Sequence, residues 1–319
     1  MKPELLLMRP IYAPAVAELE RDFTLRKPWA APEPDAYVRQ ACGNVRAAVT
    51  TTTVGFSRGD FEALPRLEIL GCFGPYYELV DLAAAKARGV IVTHTPDSTA
   101  EPVADLAMGM IVAVMRRLCE ADRFVRAGKW PAGVFDAGRE VRGKTCGIVG
   151  LGRIGREIAK RAEAFGMPIC YHGPRLKDGV AYRYYADLES LARDSDVLVV
   201  TCRLTPATRN LVDARVLDAL GADGFLVNVA RGAIVDEQAL IAALAGKQIA
   251  GAALDVFRDE PRVPAALIQM DNVVLAPHMG TSTREIRDER SRKLLADLRA
   301  FFAGKPLLHQ VTSDGAPEG

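Results

Sequence analysis

The stretch Lys144-Thr-Cys-Gly-Ile-Val-Gly-Leu-Gly-Arg-Ile-Gly155 decides the fold of this chain. Residues 146–149 read as a short apolar strand, and Arg156-Glu-Ile-Ala-Lys-Arg-Ala-Glu-Ala-Phe165 as the helix that follows it. Between them, Gly150, Leu151, Gly152, Arg153, Ile154 and Gly155 fit the spacing G-x-G-x-x-G. Each glycine has a separate task. Gly150 permits the tight turn, Gly152 lets backbone approach a pyrophosphate, and Gly155 lets the helix pack closely on the strand. The helix N-terminus offers unpaired N–H groups and a positive dipole end to phosphate. Strand, glycine turn and helix in this order imply a dinucleotide-binding unit.

Working outward, apolar strands alternate with helical stretches on both sides, the pattern of α/β folds with parallel sheets. From the fingerprint onward, strands are predicted at 145–149, 168–171, 197–201, 225–228, 251–255 and 273–275, the count of a six-stranded nucleotide fold. Before it, strands at 5–8, 47–50, 68–72 and 90–92 alternate with helices at 13–22, 60–63 and 80–88, a smaller doubly wound unit. Residues 94–102 form a turn-rich boundary, and one long helix is predicted over 103–127, closed by Gly128. Its apolar residues occupy more than one face, which suits burial between domains or subunits. A last helix at 284–302 and an apolar segment at 307–311 are expected to return to the first unit, and 313–319 to be disordered.

Composition narrows the function. The 319 residues suggest two domains, and 49% apolar content supplies sizeable cores. Lys and Arg number 41 against 40 Asp and Glu, with no basic block, which argues against a nucleic-acid partner. Cysteines 42, 72, 119, 146, 170 and 202 are scattered without metal spacing, as expected of buried thiols in a reducing compartment. Histidines stand only at 94, 172, 278 and 309, too few for a histidine-rich metal centre. The apolar run at 5–8 is too short for a signal peptide, and no stretch is long enough to span a membrane. Cytoplasmic residence is the expectation.

Ligands of open α/β sheets bind outside the carboxyl ends of strands. Three polar clusters fall there: Asn228-Val-Ala-Arg231-Gly232, Asp255-Val-Phe-Arg-Asp-Glu260-Pro261 and Ala276-Pro277-His278-Met-Gly280. Together they offer a fixed cation, a carboxylate and an imidazole, a set suited to hydride transfer to a 2-keto acid. Histidine exchanges a proton readily near neutrality. Glu260 is expected to favour the charged ring of His278 and fix its orientation. Arg231 can bridge a substrate carboxylate and keto oxygen through its planar fork.

With these motifs the chain resembles the D-isomer-specific 2-hydroxyacid dehydrogenase family, and within it the glyoxylate/hydroxypyruvate and hydroxyphenylpyruvate reductases. The resemblance runs from Leu5 to about Val311. It rests on the fingerprint, Leu204-Thr-Pro-Ala-Thr208, Asn228-Val-Ala-Arg-Gly-Ala-Ile-Val-Asp-Glu237, the Asp255–Pro261 run and Pro277-His-Met-Gly280. It implies a Rossmann nucleotide domain (99–287) inserted in a flavodoxin-like substrate domain (1–98 and 288–319). It also implies catalytic roles for Arg231, Glu260 and His278, and a homodimer joined through the helix at 103–127. Cofactor contacts are expected from Gly150, Leu151, Gly152, Arg153, Ile154, Gly155, Pro206, Val229, Ala230, Arg231, Asp255, His278 and Gly280. The expected reaction is reduction of glyoxylate, hydroxypyruvate or an arylpyruvate to the D-2-hydroxy acid.

Cofactor choice is argued locally. An NAD enzyme places Asp or Glu at the end of the second strand to hold the ribose 2′-hydroxyl. Here that strand runs into His172-Gly173-Pro-Arg175-Leu-Lys177, with no acid at its end. Arg175 and Lys177 can receive a 2′-phosphate, so NADP(H) is the expected cofactor, with NAD(H) possible. A second departure lies in the first unit, at Cys72-Phe73-Gly74-Pro75-Tyr76-Tyr77-Glu78. The family binds the substrate carboxylate there through backbone N–H groups. Pro75 has no N–H to donate, and Tyr76 is bulky where glycine would allow close approach. Two arrangements are then open: the amides of Gly74 and Tyr76 serve as the donors, or the loop is remodelled. Two other readings stay open at this level: a catalytically weak dinucleotide-sensing binding protein resembling the related corepressors, and an NAD-linked dehydrogenase such as one for phosphoglycerate or formate.

Overall fold

The computed structural model describes residues 2–96 and 99–311; residue 1, the boundary residues 97 and 98 and residues 312–319, which include the tail expected to be disordered, lie outside the described residues. The chain divides into two compact units, Met1–Ser98 with Thr283–Gly319, and Thr99–Ser282. The second boundary is the N-cap of the last helix, Arg284–Phe302, where the Thr283 side chain accepts the Ile286 N–H. That helix therefore belongs whole to the first unit.

The first unit holds strands β1 (Glu4–Leu7), β2 (Thr24–Arg26), β3 (Ala47–Thr51), β4 (Ile69–Phe73) and β5 (Ile91–His94). They form one parallel sheet in the order β2-β1-β3-β4-β5, the flavodoxin-like arrangement. Continuous apolar runs such as Leu5-Leu6-Leu7 are buried on both faces, as a parallel sheet covered by helices requires. Leu6, Ala48 and Leu70 pack with Phe56 and Phe61 on one face. Leu5, Leu7, Val49 and Ile69 pack with Leu294 and Leu298 of the last helix on the other. Gly71 leaves room there for Leu294, whose Cδ1 lies 2.5 Å from where a Cβ would stand. The apolar segment near the C-terminus returns to this unit: Val311 N–H donates to Val92 O (2.8 Å) and His94 N–H to His309 O (3.1 Å).

The second unit holds β6 (Cys146–Val149), β7 (Ile169–His172), β8 (Arg183–Tyr185), β9 (Val197–Val200), β10 (Phe225–Asn228), β11 (Gly251–Leu254) and β12 (Val273–Leu275). Their order is β12-β11-β10-β9-β6-β7-β8, all parallel. Counted within the unit this is the nucleotide-binding order 3-2-1-4-5-6 with a seventh strand added at the far edge. The six expected strands are all present. The strand the sequence did not reveal is β8, three residues at an edge, and β2 escaped for the same reason in the first unit. Edge strands are kept short, and three residues carry no readable alternation.

The long helix expected at 103–127 is a correction. It is two helices, Ala100–Met115 and Leu118–Arg126, with Arg117 between them in the left-handed region at φ 54. The first is apolar on most sides and buried against the nucleotide sheet, whereas the second has no buried residue. At the junction Met115 O accepts the Arg139 N–H (2.7 Å), a long-range partner in place of the next helical turn. Gly138 makes this approach possible, because a Cβ there would stand 2.8 Å from Met115 O. The exposed helix ends as expected at Gly128, in a Schellman motif with Gly128 N–H on Val125 O and Lys129 N–H on Phe124 O.

Candidate active site

The fingerprint turn has the geometry its spacing implies. Gly150 sits at φ 99, and a Cβ would lie 2.7 Å from Cys202 Cα at the end of the neighbouring β9 segment. At Gly155 a Cβ would meet Gly150 O at 2.5 Å. Gly152 is the N-cap of the helix Arg153–Ala164, and a Cβ there would meet nothing within 4 Å. Two positions are thus closed by packing, while the middle one faces open space. Gly150 N–H donates to His172 O (2.9 Å), and the Thr201 hydroxyl to Gly150 O (2.6 Å), so the turn is tied to the strand ends on both sides. Thr201 carries a positioning role that sequence reading missed; a hydroxyl ending an apolar strand was the available signal.

The loop after β7 is held by tyrosines. Lys177 N–H donates to the buried Tyr171 hydroxyl (2.9 Å), and the Tyr184 hydroxyl donates to Gly173 O (3.1 Å). Arg175 is exposed and Lys177 half-buried on this loop. His172 uses Nδ1 on Tyr185 O (3.0 Å), which ties β7 to β8. Pro206 lies exposed in the turn after β9, shaped by the Thr205 and Thr208 hydroxyls.

Arg231, Glu260 and His278 come from the loops after β10, β11 and β12, and backbone bonds between neighbouring loops hold those loops in line. Asp255 N–H donates to Asn228 O (3.0 Å) and His278 N–H to Asp255 O (2.8 Å), so the sheet ladder continues past the strand ends. Asn228 is buried and shapes the arginine loop: Oδ1 accepts the Ala230 N–H and Nδ2 donates to Arg231 O, each at 3.1 Å. This Asx turn had no assigned role in the sequence. Val229 and Ala230, within this loop, are buried. Gly232 brings it against the glutamate loop, because a Cβ would be 2.0 Å from the Phe257 carbonyl carbon. Half-buried Arg231 donates through Nη1 to Ala230 O (2.8 Å).

His278 Nδ1 is 2.6 Å from Glu260 Oε2, and Glu260 Oε1 accepts the Phe257 N–H at 3.0 Å. Burial pushes the Glu260 carboxyl up. The hydrogen bond to His278, the Phe257 amide and the nearby charges of His278 and Arg231 outweigh it and hold the group below the usual range. Glu260 therefore stays ionised, and a carboxylate facing Nδ1 fixes the ring with Nδ1 as donor.

His278 lies in the left-handed region at φ 52, a conformation costing about 1–2 kcal/mol for a non-glycine residue. Asp255 offsets that strain. Its carboxylate accepts Met279 N–H (2.7 Å) and Gly280 N–H (2.9 Å), charge-assisted bonds that the left-handed turn makes possible. Burial dominates at Asp255 and raises its carboxyl pKa despite those two amides. Both oxygens of Asp255 thus serve the histidine turn, a task the sequence did not show.

Among the described residues no group of three or more His, Cys, Asp or Glu could hold a metal ion. The first unit carries Phe73–Tyr76. Phe73 is buried in its core with Leu7 and Leu294. Gly74, at φ 152, already donates its N–H to Thr95 Oγ1 (2.8 Å) and Cys72 O (2.9 Å). The Gly74 amide expected as a substrate donor is therefore committed within the unit.

Residues 108–280 match the model of the D-isomer specific 2-hydroxyacid dehydrogenase NAD binding domain. The chain is 47% identical over 306 residues to glyoxylate/hydroxypyruvate reductase A of Arabidopsis thaliana, covering 96% of this chain and 98% of the relative. It is 43% identical to hydroxyphenylpyruvate reductase of Plectranthus scutellarioides over the same shares, 96% and 98%. Among solved structures it resembles an NADPH-dependent glyoxylate/hydroxypyruvate reductase from Sinorhizobium meliloti in complex with NADP and malonate. That likeness has a TM-score of 0.82 and 37% identity, covering 98% of this chain and 97% of the other. A 2-hydroxyacid dehydrogenase from Ketogulonicigenium vulgare gives a TM-score of 0.85 at 39% identity, covering 98% and 99%. The fingerprint turn, the aligned loops and these likenesses agree: the chain is an oxidoreductase belonging to the D-isomer-specific 2-hydroxyacid dehydrogenase family.

Proposed function

We propose that this enzyme reduces a 2-keto acid of the glyoxylate, hydroxypyruvate or arylpyruvate class to the D-2-hydroxy acid with NADP(H). The carrying observation is the 2.6 Å contact of His278 with Glu260, on loops aligned by backbone bonds with the Arg231 loop.

The residues of the second unit suit a dinucleotide. The open Cβ direction at Gly152 and the start of the helix Arg153–Ala164 suit a pyrophosphate, with Leu151, Arg153, Ile154 and Pro206 around it. His172, Gly173, Arg175 and Lys177 suit the adenosine ribose, and two cations where an acid would stand favour a 2′-phosphate. Val229, Ala230, Asp255 and Gly280 suit the nicotinamide end; each Asp255 oxygen keeps a second lone pair for that purpose. When bound, the nucleotide supplies the hydride. Arg231 anchors the substrate carboxylate and polarises the keto oxygen. His278 gives the developing alkoxide a proton from Nε2, while Glu260 holds Nδ1. Phe73, Gly74, Pro75 and Tyr76 form the substrate loop of the first unit, with Phe73 and Gly74 acting from beneath.

The likeness to an NADPH-dependent reductase supports the cofactor preference. Loss of NADPH absorbance with a panel of 2-keto acids tests the whole reading. We expect a kcat/KM at least about tenfold higher with NADPH than with NADH, the worth of about one charge-assisted contact to phosphate. Nucleotide binding without turnover of any keto acid would favour the sensing-protein alternative.

The assembly proposed is a homodimer. Val103, Ala107, Ile111 and Val114 are buried in their own unit. The exposed apolar side chains instead follow the break: Leu118 (57%), Val125 (52%), Trp130 (68%) and Val134 (94%). So large an apolar stretch on one segment suits a second copy. Sedimentation equilibrium should give twice the 34.5 kDa chain mass, and Val134→Asp should shift it toward monomer; a monomeric wild type would refute the assembly. No helix among the described residues is long and apolar enough to cross a membrane, and all six cysteines are free thiols. Cytoplasmic residence fits both.

A further inference from the structure

The substrate loop after β4 is anchored through its carbonyl groups. Gly74 O accepts the Thr95 N–H at 3.0 Å. Pro75 O is 3.0 Å from His94 Nδ1, and Tyr76 O accepts from Cys72 Sγ at 3.1 Å. A carbonyl can only accept, so His94 must carry its proton on Nδ1. Burial lowers the pKa of His94 and outweighs the bond to Pro75, which keeps the ring neutral with a single N–H aimed at the loop. Burial likewise pushes the Cys72 thiol up to about 12, so it remains a donor. The Tyr77 ring packs edge-on against the His94 ring at 5.2 Å, and the backbone N–H of His94 donates to His309 O. His309 is in turn bound to the buried Asp297 of the last helix at 2.9 Å.

The direction of these bonds has a consequence for the amides. In a planar trans peptide the C=O and N–H of one unit point opposite ways. With Pro75 O drawn to His94, the N–H of Tyr76 is turned away from the anchor. With Tyr76 O drawn to Cys72, the N–H of Tyr77 is turned away too. Two successive amides then face the same side, the arrangement that cradles an anion. Pro75 has no N–H, and that of Gly74 is spent on Thr95 and Cys72.

We propose that His94 is a positioning residue for substrate: by holding the Pro75 carbonyl it aims the Tyr76 amide, and with Cys72 the Tyr77 amide, at the carboxylate of the 2-keto acid. The inference rests on the reductase reading, and moves the expected donor pair from Gly74 and Tyr76 to Tyr76 and Tyr77.

The test uses the full chain. His94→Phe keeps the ring and removes the donor. It should raise KM for glyoxylate about tenfold, one weakened hydrogen bond to a charged group, with kcat within about threefold of wild type. NADPH affinity, read by nucleotide fluorescence, should not move. His94→Asn should restore KM, because asparagine Nδ2 stands the same number of bonds from Cα as histidine Nδ1. If His94→Phe does not fold, Cys72→Ala reads the second amide and should raise KM while Cys72→Ser does not. Calorimetric binding of oxamate to the NADPH-loaded protein separates the two readings. Oxamate bound about tenfold more weakly by His94→Phe would support the positioning role even if no keto acid were reduced. Equal oxamate affinity in wild type and His94→Phe would overturn it whatever the turnover. So would no oxamate binding by the wild type, no rescue by asparagine, or parallel losses of KM, kcat and NADPH affinity.

Discussion

Replacing His278 with asparagine should lower kcat for 2-keto acid reduction by about two to four orders of magnitude, the range for loss of a general acid. Asparagine is a sharper probe than alanine at this position. It tolerates the left-handed backbone that His278 adopts at φ 52, so the turn held by Asp255 should survive. Its Nδ2 also replaces Nδ1 in the bond to Glu260 Oε2. What disappears is the far ring nitrogen, Nε2, the atom assigned to proton transfer. The same substitution thus has opposite expected results at two histidines. In the proposed roles His94 acts through Nδ1, which asparagine mimics, and His278 through Nε2, which it does not. Stopped-flow measurement of NADPH oxidation reads the chemical step directly; a rate within about fivefold of wild type would remove His278 from the proton path.

Replacing Arg231 with alanine should lower kcat/KM by about 30-fold to several thousand-fold, corresponding to about 2–5 kcal/mol for truncating one partner of a desolvated, hydrogen-bonded charge pair. Arg231→Lys should fall between, since it retains the cation and loses the planar fork that can meet two oxygens at once. Both kcat and KM should respond, because the residue is assigned to holding the carboxylate and to polarising the ketone. The loop itself should persist. It is shaped by the Asn228 side chain and by the approach of Gly232 to Phe257, neither of which needs the guanidinium. Arg231→Ala with a normal KM and a normal kcat would leave the substrate without its assigned anchor and refute the role; unchanged thermal stability would exclude unfolding as the cause of any loss.

The legible parts of the chain were those encoded at short range. The alternation of apolar runs and helical stretches revealed two α/β units, because side-chain period is a property of neighbouring residues. The helix Ala13–Asp22 and the helix Arg284–Phe302 fall where their patterns put them. The break at Arg117 was not legible. Nothing in Met115-Arg-Arg-Leu-Cys119 forbids a helix; the interruption depends on Arg139 reaching Met115 O from 24 residues away. The strands β2 and β8 failed for the converse reason, since three residues are too few to show a period.

By itself the sequence determined the class of fold and the glycine turn, and it singled out Arg231, Glu260 and His278 as the proposed chemical side chains, because strand, glycine spacing and residue type are local facts. Tertiary structure alone decided how those side chains are used. It set His278 against Glu260, spent the Asp255 carboxylate on the histidine turn, committed the Gly74 amide to Thr95, and placed His94 behind Pro75. The physical reason is common to all four. Each joins groups from 18 to 25 residues apart in sequence, brought together only where parallel strands end side by side, and a hydrogen bond over such a separation leaves no period or spacing in the chain.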